Sequence, residues 1–190
     1  MLFRSQEIYR FDPTTSVVQV QVDTAGALGF MGHSHRIQGA IEGGNFAYFQ
    51  QNPGKSSVEL VVDAATLQVM DSQLSPKDRR EIQATMQSEK VLGVQRYPKI
   101  AFKSVKVQPQ DDKHLEIIGD LAIRGRTNQV AVQVTLDQVG PQLTARGTSH
   151  INQTTFGIQP VSAGLGTVRV KDQLTVSFQI VGQPKLEHGR

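Results

Sequence analysis

The segment LEIIGDLAIRGRTNQVAVQVTL, residues 115–136, decides the fold class. Leu115, Ile117, Gly119, Leu121 and Ile123 fall on every second position, and Val130, Val132, Val134 and Leu136 do the same after a break. A period of two places such residues on one face of a pleated strand, as in a half-buried sheet. Between the runs, Gly125-Arg126-Thr127-Asn128 reads as a turn, so the two strands form an antiparallel hairpin.

The same alternation continues in both directions. Val18, Val20 and Val22 share a face opposite Gln19 and Gln21, and Val58, Leu60 and Val62 share one opposite Glu59. Ile100 and Phe102 repeat the pattern, and Leu174, Val176, Phe178 and Ile180 close the chain with it. Asn52-Pro53-Gly54, Gln110-Asp111-Asp112 and Gly140-Pro141 separate the runs. Short strands of this kind predict an antiparallel sandwich or barrel. One segment differs. Ser75-Pro76 reads as an N-cap with proline in the first turn, Asp78 favours the helix dipole, and Ile82 and Met86 lie four apart. An amphipathic helix over about 76–90, lying on the sheet, is expected.

With 190 residues the chain suits one domain with a substantial core. It has 38% hydrophobic and 19% charged residues and no run near the roughly 20 apolar residues of a membrane span, which predicts a soluble globular protein. The start MLFRSQEIYRF shows no apolar signal-peptide region, which suits a cytoplasmic protein and a mature exported domain alike. Without cysteine there is no disulfide, thiolate zinc site or cysteine nucleophile. The net charge of +3 is spread out, and its densest run, Lys77-Asp78-Arg79-Arg80, reads as a solvated helix face; no nucleic-acid partner is expected. Tryptophan is absent and aromatics make up 6%, while Gly39, Ala40, Gly119, Ala145 and Gly147 are small. Composition alone leaves a solid core and an unfilled apolar lumen both open.

Several segments, in order and over nearly the whole chain, resemble one family. Tyr97-Pro98-Lys99-Ile100-Ala101-Phe102-Lys103-Ser104 is similar to the yPxIxFxS strand of the YceI-like family, and Ile118 to Thr127 resembles its GdLtixGxT hairpin. Thr155-Phe156-Gly157-Ile158 resembles its dFGI segment, and Phe11 to Val17 its Asp-x-x-x-Ser-x-V opening. Thr15 and Asn152 depart from the histidine and arginine of many relatives. The resemblance implies an all-β fold: an extended eight-stranded antiparallel lipocalin-like barrel around a hydrophobic tunnel. A single barrel domain would span residues 1–184, with a tail at 185–190. It further implies a non-enzymatic carrier or store of a long amphiphile, such as a polyisoprenoid, an isoprenoid quinone or a fatty-acid derivative. No cofactor is implied beyond such a bound isoprenoid lipid or quinone, and the periplasm is the expected compartment, with the cytoplasm as alternative. No stable membrane insertion is expected.

Alternation and resemblance together give the candidate lining. It takes Val18 and Val20, then Ile37 and Ile41, Leu60, Ile100 and Phe102, Leu121 and Ile123, and Phe156. His33 and His35, in GFMGHSHRIQG (residues 29–39), resemble the Gly-His-x-His element carried by one branch of that family. Two apart on an extended strand, they share a face and can meet a ligand headgroup or, in the alternative reading of a metal-binding protein or metal-dependent enzyme, a metal. A metal needs a third ligand, and His114, His150 and His188 are poorly placed. No nucleophile–base constellation and no phosphate-binding glycine loop is present, so no catalytic residue is expected. A strand edge near Gly43-Gly44 would permit a homodimer.

Overall fold

The computed structural model describes residues 7–25, 34–163 and 168–184. In chain order the elements are β1 (Glu7–Phe11), β2 (Val17–Val22), β3 (Thr24–Ala25), β4 (His35–Tyr48), β5 (Ser57–Asp63), β6 (Gln68–Val69) and α1 (Pro76–Gln87). They are followed by β7 (Lys99–Pro109), β8 (His114–Ile123), β9 (Arg126–Val139), β10 (Gln142–Asn152), β11 (Ser162–Ala163), β12 (Val168–Val170) and β13 (Gln173–Pro184). Eight strands close on themselves in the order β2, β4, β5, β7, β8, β9, β10, β13 and back to β2, all antiparallel. Closure removes the unpaired edges an open sheet would expose.

The hairpin that suggested the sheet is tighter than its sequence implied. Ile123 pairs with Arg126, so the turn is Arg124-Gly125, and Thr127 and Asn128 already belong to β9. A two-residue hairpin turn with positive φ at both positions matches strand twist. Gly125 takes φ 71° at no steric cost, and Arg124 takes φ 51°. The Arg124 guanidinium is tied down by the carbonyls of Gly157 (3.2 Å) and Glu89 (2.5 Å).

Four pieces carry weaker sequence signals. β1 fills the seam beyond β2, pairing with the last residues of both β4 and β13. Asp12 makes the break between β1 and β2: its carboxylate accepts from Thr14 N (2.9 Å) and its carbonyl from Ser16 N (3.0 Å). β3, β11 and β12 form a small separate sheet. β6 pairs with Ile37 and Gln38 of β4 where β5 has already ended. Finally, β10 alternates poorly in sequence yet pairs along its length with β13.

α1 has the expected cap, with Asp78 N donating to Ser75 Oγ at 3.1 Å, and ends at Gln87 rather than 90. Gln83 sews it to β6 as a strand would, donating from Nε2 to Leu67 O (2.8 Å) and accepting from Val69 N (2.9 Å). Here the helix replaces a stretch of barrel wall.

Glu42 is the extra residue of a bulge, since Ile41 pairs with Val62 and Gly43 with Val61. Beyond it the inward set of β4 moves from odd to even positions, to Phe46 and Tyr48. Gly43 and Gly44 are therefore paired to β5 through Val61 and Leu60, correcting the expectation of an open edge there.

Candidate functional site

The barrel encloses a cavity of about 670 Å³, within the range of sites that bury a small ligand. Every one of the eight barrel strands contributes to its wall. Val18 and Val20 of β2, Ile37 of β4, Leu60 of β5, Ile100 and Phe102 of β7, and Leu121 and Ile123 of β8 all face it, as does Phe156 beyond β10. The alternation thus brought these residues to one space. On β8 the wall runs from Leu115 to Ile123, about 27 Å at about 3.4 Å per residue. A strand tilt of about 35–45° reduces this to about 20 Å of depth.

Ile41 departs from the expectation. It is buried but packs with Tyr9, Val62, Leu67, Leu143 and Ile180 instead of facing the cavity. Leu67, swung in by the turn after β5, lies over Gly39 so closely that a Cβ there would overlap it, and covers this part of β4. The inward glycines have a related role. A Cβ at Gly147 would overlap the Phe178 ring, and one at Gly119 would overlap Phe102. These two glycines are seats for the rings of Phe178 and Phe102, which lie close over them and line the cavity.

Polar lining is sparse: Ser149 and Gln153, on β10 and just beyond it, donate to the carbonyls of Ala131 and Lys171, and most of the rest lies toward the two ends. Near the start of β5 it consists of the hydroxyls of Tyr48, Ser56 and Ser57; burial pushes the Tyr48 phenol up from its ordinary value. At the start of β4 stands His35. Its Nδ1 lies 2.7 Å from Oδ2 of Asp71, whose Oδ1 accepts from Arg36 N at 2.8 Å. Asp71 is buried, and its two hydrogen bonds satisfy the carboxylate there. Val161, Ser162 and Val170 line the same end from the small sheet and its approach. Next door, hydrogen bonds from Gln21 Nε2 (3.1 Å) and Ser34 Oγ (2.9 Å) hold the Asp23 carboxyl below its usual range.

α1 adds Ile82 and Met86 to the wall, with Asp78, Glu81 and Thr85 alongside. The spacing of Ile82 and Met86 predicted an apolar helix face but not that it would face a cavity. Asp71 had no sequence signal, because it lies 36 residues from its histidine on a two-residue strand's exit.

His33 lies outside the described residues. Among the described residues no group of three His, Asp or Glu side chains is placed to hold a metal ion. His150 faces outward, its Nδ1 3.2 Å from Thr175 Oγ1, and His114 is held by Asp111 at the start of β8. No described helix is long and apolar enough to cross a membrane.

Comparison with known proteins agrees with this architecture. A UPF0312 protein of Vibrio cholerae serotype O1 (strain M66-2) is 28% identical over 157 residues, covering 75% of this chain and 78% of its own. One from Pseudomonas syringae pv. syringae is 25% identical over 146 residues, covering 72% and 68%. Among solved structures, Burkholderia cenocepacia BcnA superimposes with a TM-score of 0.71 at 19% identity, covering 90% of this chain and 98% of that one. A Campylobacter jejuni YCEI protein gives 0.59 at 11% identity, over 80% and 82%. At these identities the two structures speak for the fold alone. The family model for the YceI-like domain matches residues 9–182, and with the closed barrel and its hairpin and FGI segments in place, the chain belongs to the YceI-like domain family.

Proposed function

We propose that this protein binds the chain of a long amphiphile, an isoprenoid or fatty-acyl tail, inside the barrel, and that it carries or stores the molecule without transforming it. The observation that carries this reading is the continuity of the apolar wall: all eight strands and α1 contribute side chains to one cavity of about 670 Å³. Each buried methylene is worth about 0.8 kcal/mol, so a chain filling the tube binds well without precise polar contacts. A reaction would need a nucleophile, base or metal at the chain's path. The sole imidazole on the described wall is His35, and among the described residues no hydroxyl is hydrogen-bonded to its ring to serve as a nucleophile. The proposal places the carrier in the periplasm, which fractionation of the native host tests.

Native mass spectrometry of protein purified from its own host is the test. The expected result is an added mass of several hundred daltons that extracts into organic solvent. A protein of bare chain mass that also refuses alkyl probes would overturn the reading, and a metal mass that vanishes on replacing His33 and His35 would favour the metal alternative.

A further inference from the structure

The charge on the cavity wall sits at one end and has one sign. Besides His35, the charged groups among the described lining residues are the carboxylates of Asp78 and Glu81, and no described lysine or arginine joins them. They lie at the same end as His35. β6 pairs with Ile37 of β4, Asp71 follows β6, and Ser75 then caps the helix. Because Gln83 bonds to Leu67 and Val69 while Gln87 donates to Ala65 O, α1 runs back along β6, which leaves its first turns beside Asp71. Lys77 and Arg80 are exposed like the two acids and Arg79 between them is half-buried, but of this run only Asp78 and Glu81 line the cavity, and Arg36 points from the opposite face of β4. Asp78 accepts a hydrogen bond from Ser75 Oγ at 2.8 Å; neither it nor Glu81 forms an ion pair among the described residues.

The imidazole has the same bias. Asp71 is an acceptor, so it is Nδ1 of His35 that carries the proton, and in the neutral ring Nε2 is left as an acceptor. Among the described residues Nε2 has no hydrogen-bond partner. The charged end of the cavity therefore offers acceptors and negative charge.

We infer that the cavity selects an amphiphile by its headgroup, favouring one that donates hydrogen bonds, a protonated long-chain amine above all, and disfavouring phosphate and carboxylate heads. The inference rests on the amphiphile reading and narrows it. An ammonium brought to this end meets opposite charge and hydrogen-bond acceptors, whereas an anion meets like charge with no cation on the wall to offset it. Alcohols and amides, which donate without charge, fall between.

The experiment uses the whole chain and four probes of one chain length: dodecylamine, dodecanol, dodecanoate and dodecyl phosphate, each below its critical micelle concentration. Affinities are read by displacement of a polarity-sensitive fluorophore. The expected order is amine, then alcohol, then the two anions, with at least a tenfold preference for amine over either anion. That preference shrinks in high salt and falls toward one in Glu81→Gln and in Asp78→Asn/Glu81→Gln. Anions binding as tightly as the amine, while dodecanol binds, would overturn this inference and leave the amphiphile reading standing. Failure of all four probes, dodecanol included, would overturn both.

Discussion

The two ends of the barrel are built from opposite materials. Where β1 joins β4 and β13, Tyr9 is 0% exposed and stacks on Phe46 at 4.8 Å with the ring planes 2° apart, while Phe11 packs at 5.5 Å. Gly44, at φ 137°, and Gly182 make room for these rings, since a Cβ at either would overlap Phe11 or Phe46. At the other end the wall is a helix, a two-residue strand and a small sheet, and its polar centre is the His35–Asp71 pair. One end holds the barrel shut through aromatic packing, and the other carries the chemistry that a headgroup would meet. Stability and recognition therefore lie in different residues and can be perturbed separately.

The sharpest way to break this division is at the packed end. Phe46→Ala removes the ring that Tyr9 and Phe11 both touch and should cost about 3–5 kcal/mol in denaturant unfolding. The surviving folded protein should keep its headgroup preference. A change in that preference would show that the ends are coupled. At the polar end, Asp71→Ala leaves Arg36 N and His35 Nδ1 without their acceptor and should cost about 1–3 kcal/mol. Unlike the first variant, it should also alter the order of headgroups.

A third change fills the middle. Ala145 lines the cavity between its strand neighbours Leu136 and Ile180, so Ala145→Phe should occupy space the chain needs. Alkyl affinity should fall at least tenfold, about 1.4 kcal/mol, with unfolding free energy unchanged or slightly raised. A solid core would instead be overpacked and destabilised. The smallest effect is on acid stability. The Asp23 carboxyl is held below its ordinary value by hydrogen bonds from Gln21 and Ser34. Its contribution is thus full above the unfolded aspartate value, about 4, and is lost as pH falls through the lower folded value. Asp23→Asn should weaken the fall in stability as pH drops below about 4, seen as a shallower Tm against pH.

How much of this was legible follows the physics of each element. Strands with one wet and one apolar face announced themselves, so Val18 to Val22 and Leu115 to Leu136 read correctly. The turn at Arg124-Gly125 was misplaced by two residues because arginine rarely takes positive φ, and the carbonyls that hold its guanidinium are remote in sequence. β6 has two residues, too few for any period, and is made by Gln83, whose amide stands in for a strand partner. Ile41 looked like lining because alternation tells which face is inward but not what lies over it, and Leu67 came from elsewhere. Composition left a solid core and a lumen both open, and it could not show that Gly119 and Gly147 seat the rings of Phe102 and Phe178. Asp71 was invisible, since a buried partner for a histidine follows no spacing rule.

The most direct test of the central claim, that one apolar tube takes the chain, is a length series of neutral straight-chain alcohols. Affinity should rise about 0.8 kcal/mol, or roughly fourfold, with each added methylene. The rise should stop where the chain fills the depth of about 20 Å set by strand rise and tilt. Affinity independent of chain length, or no binding at any length, would contradict it.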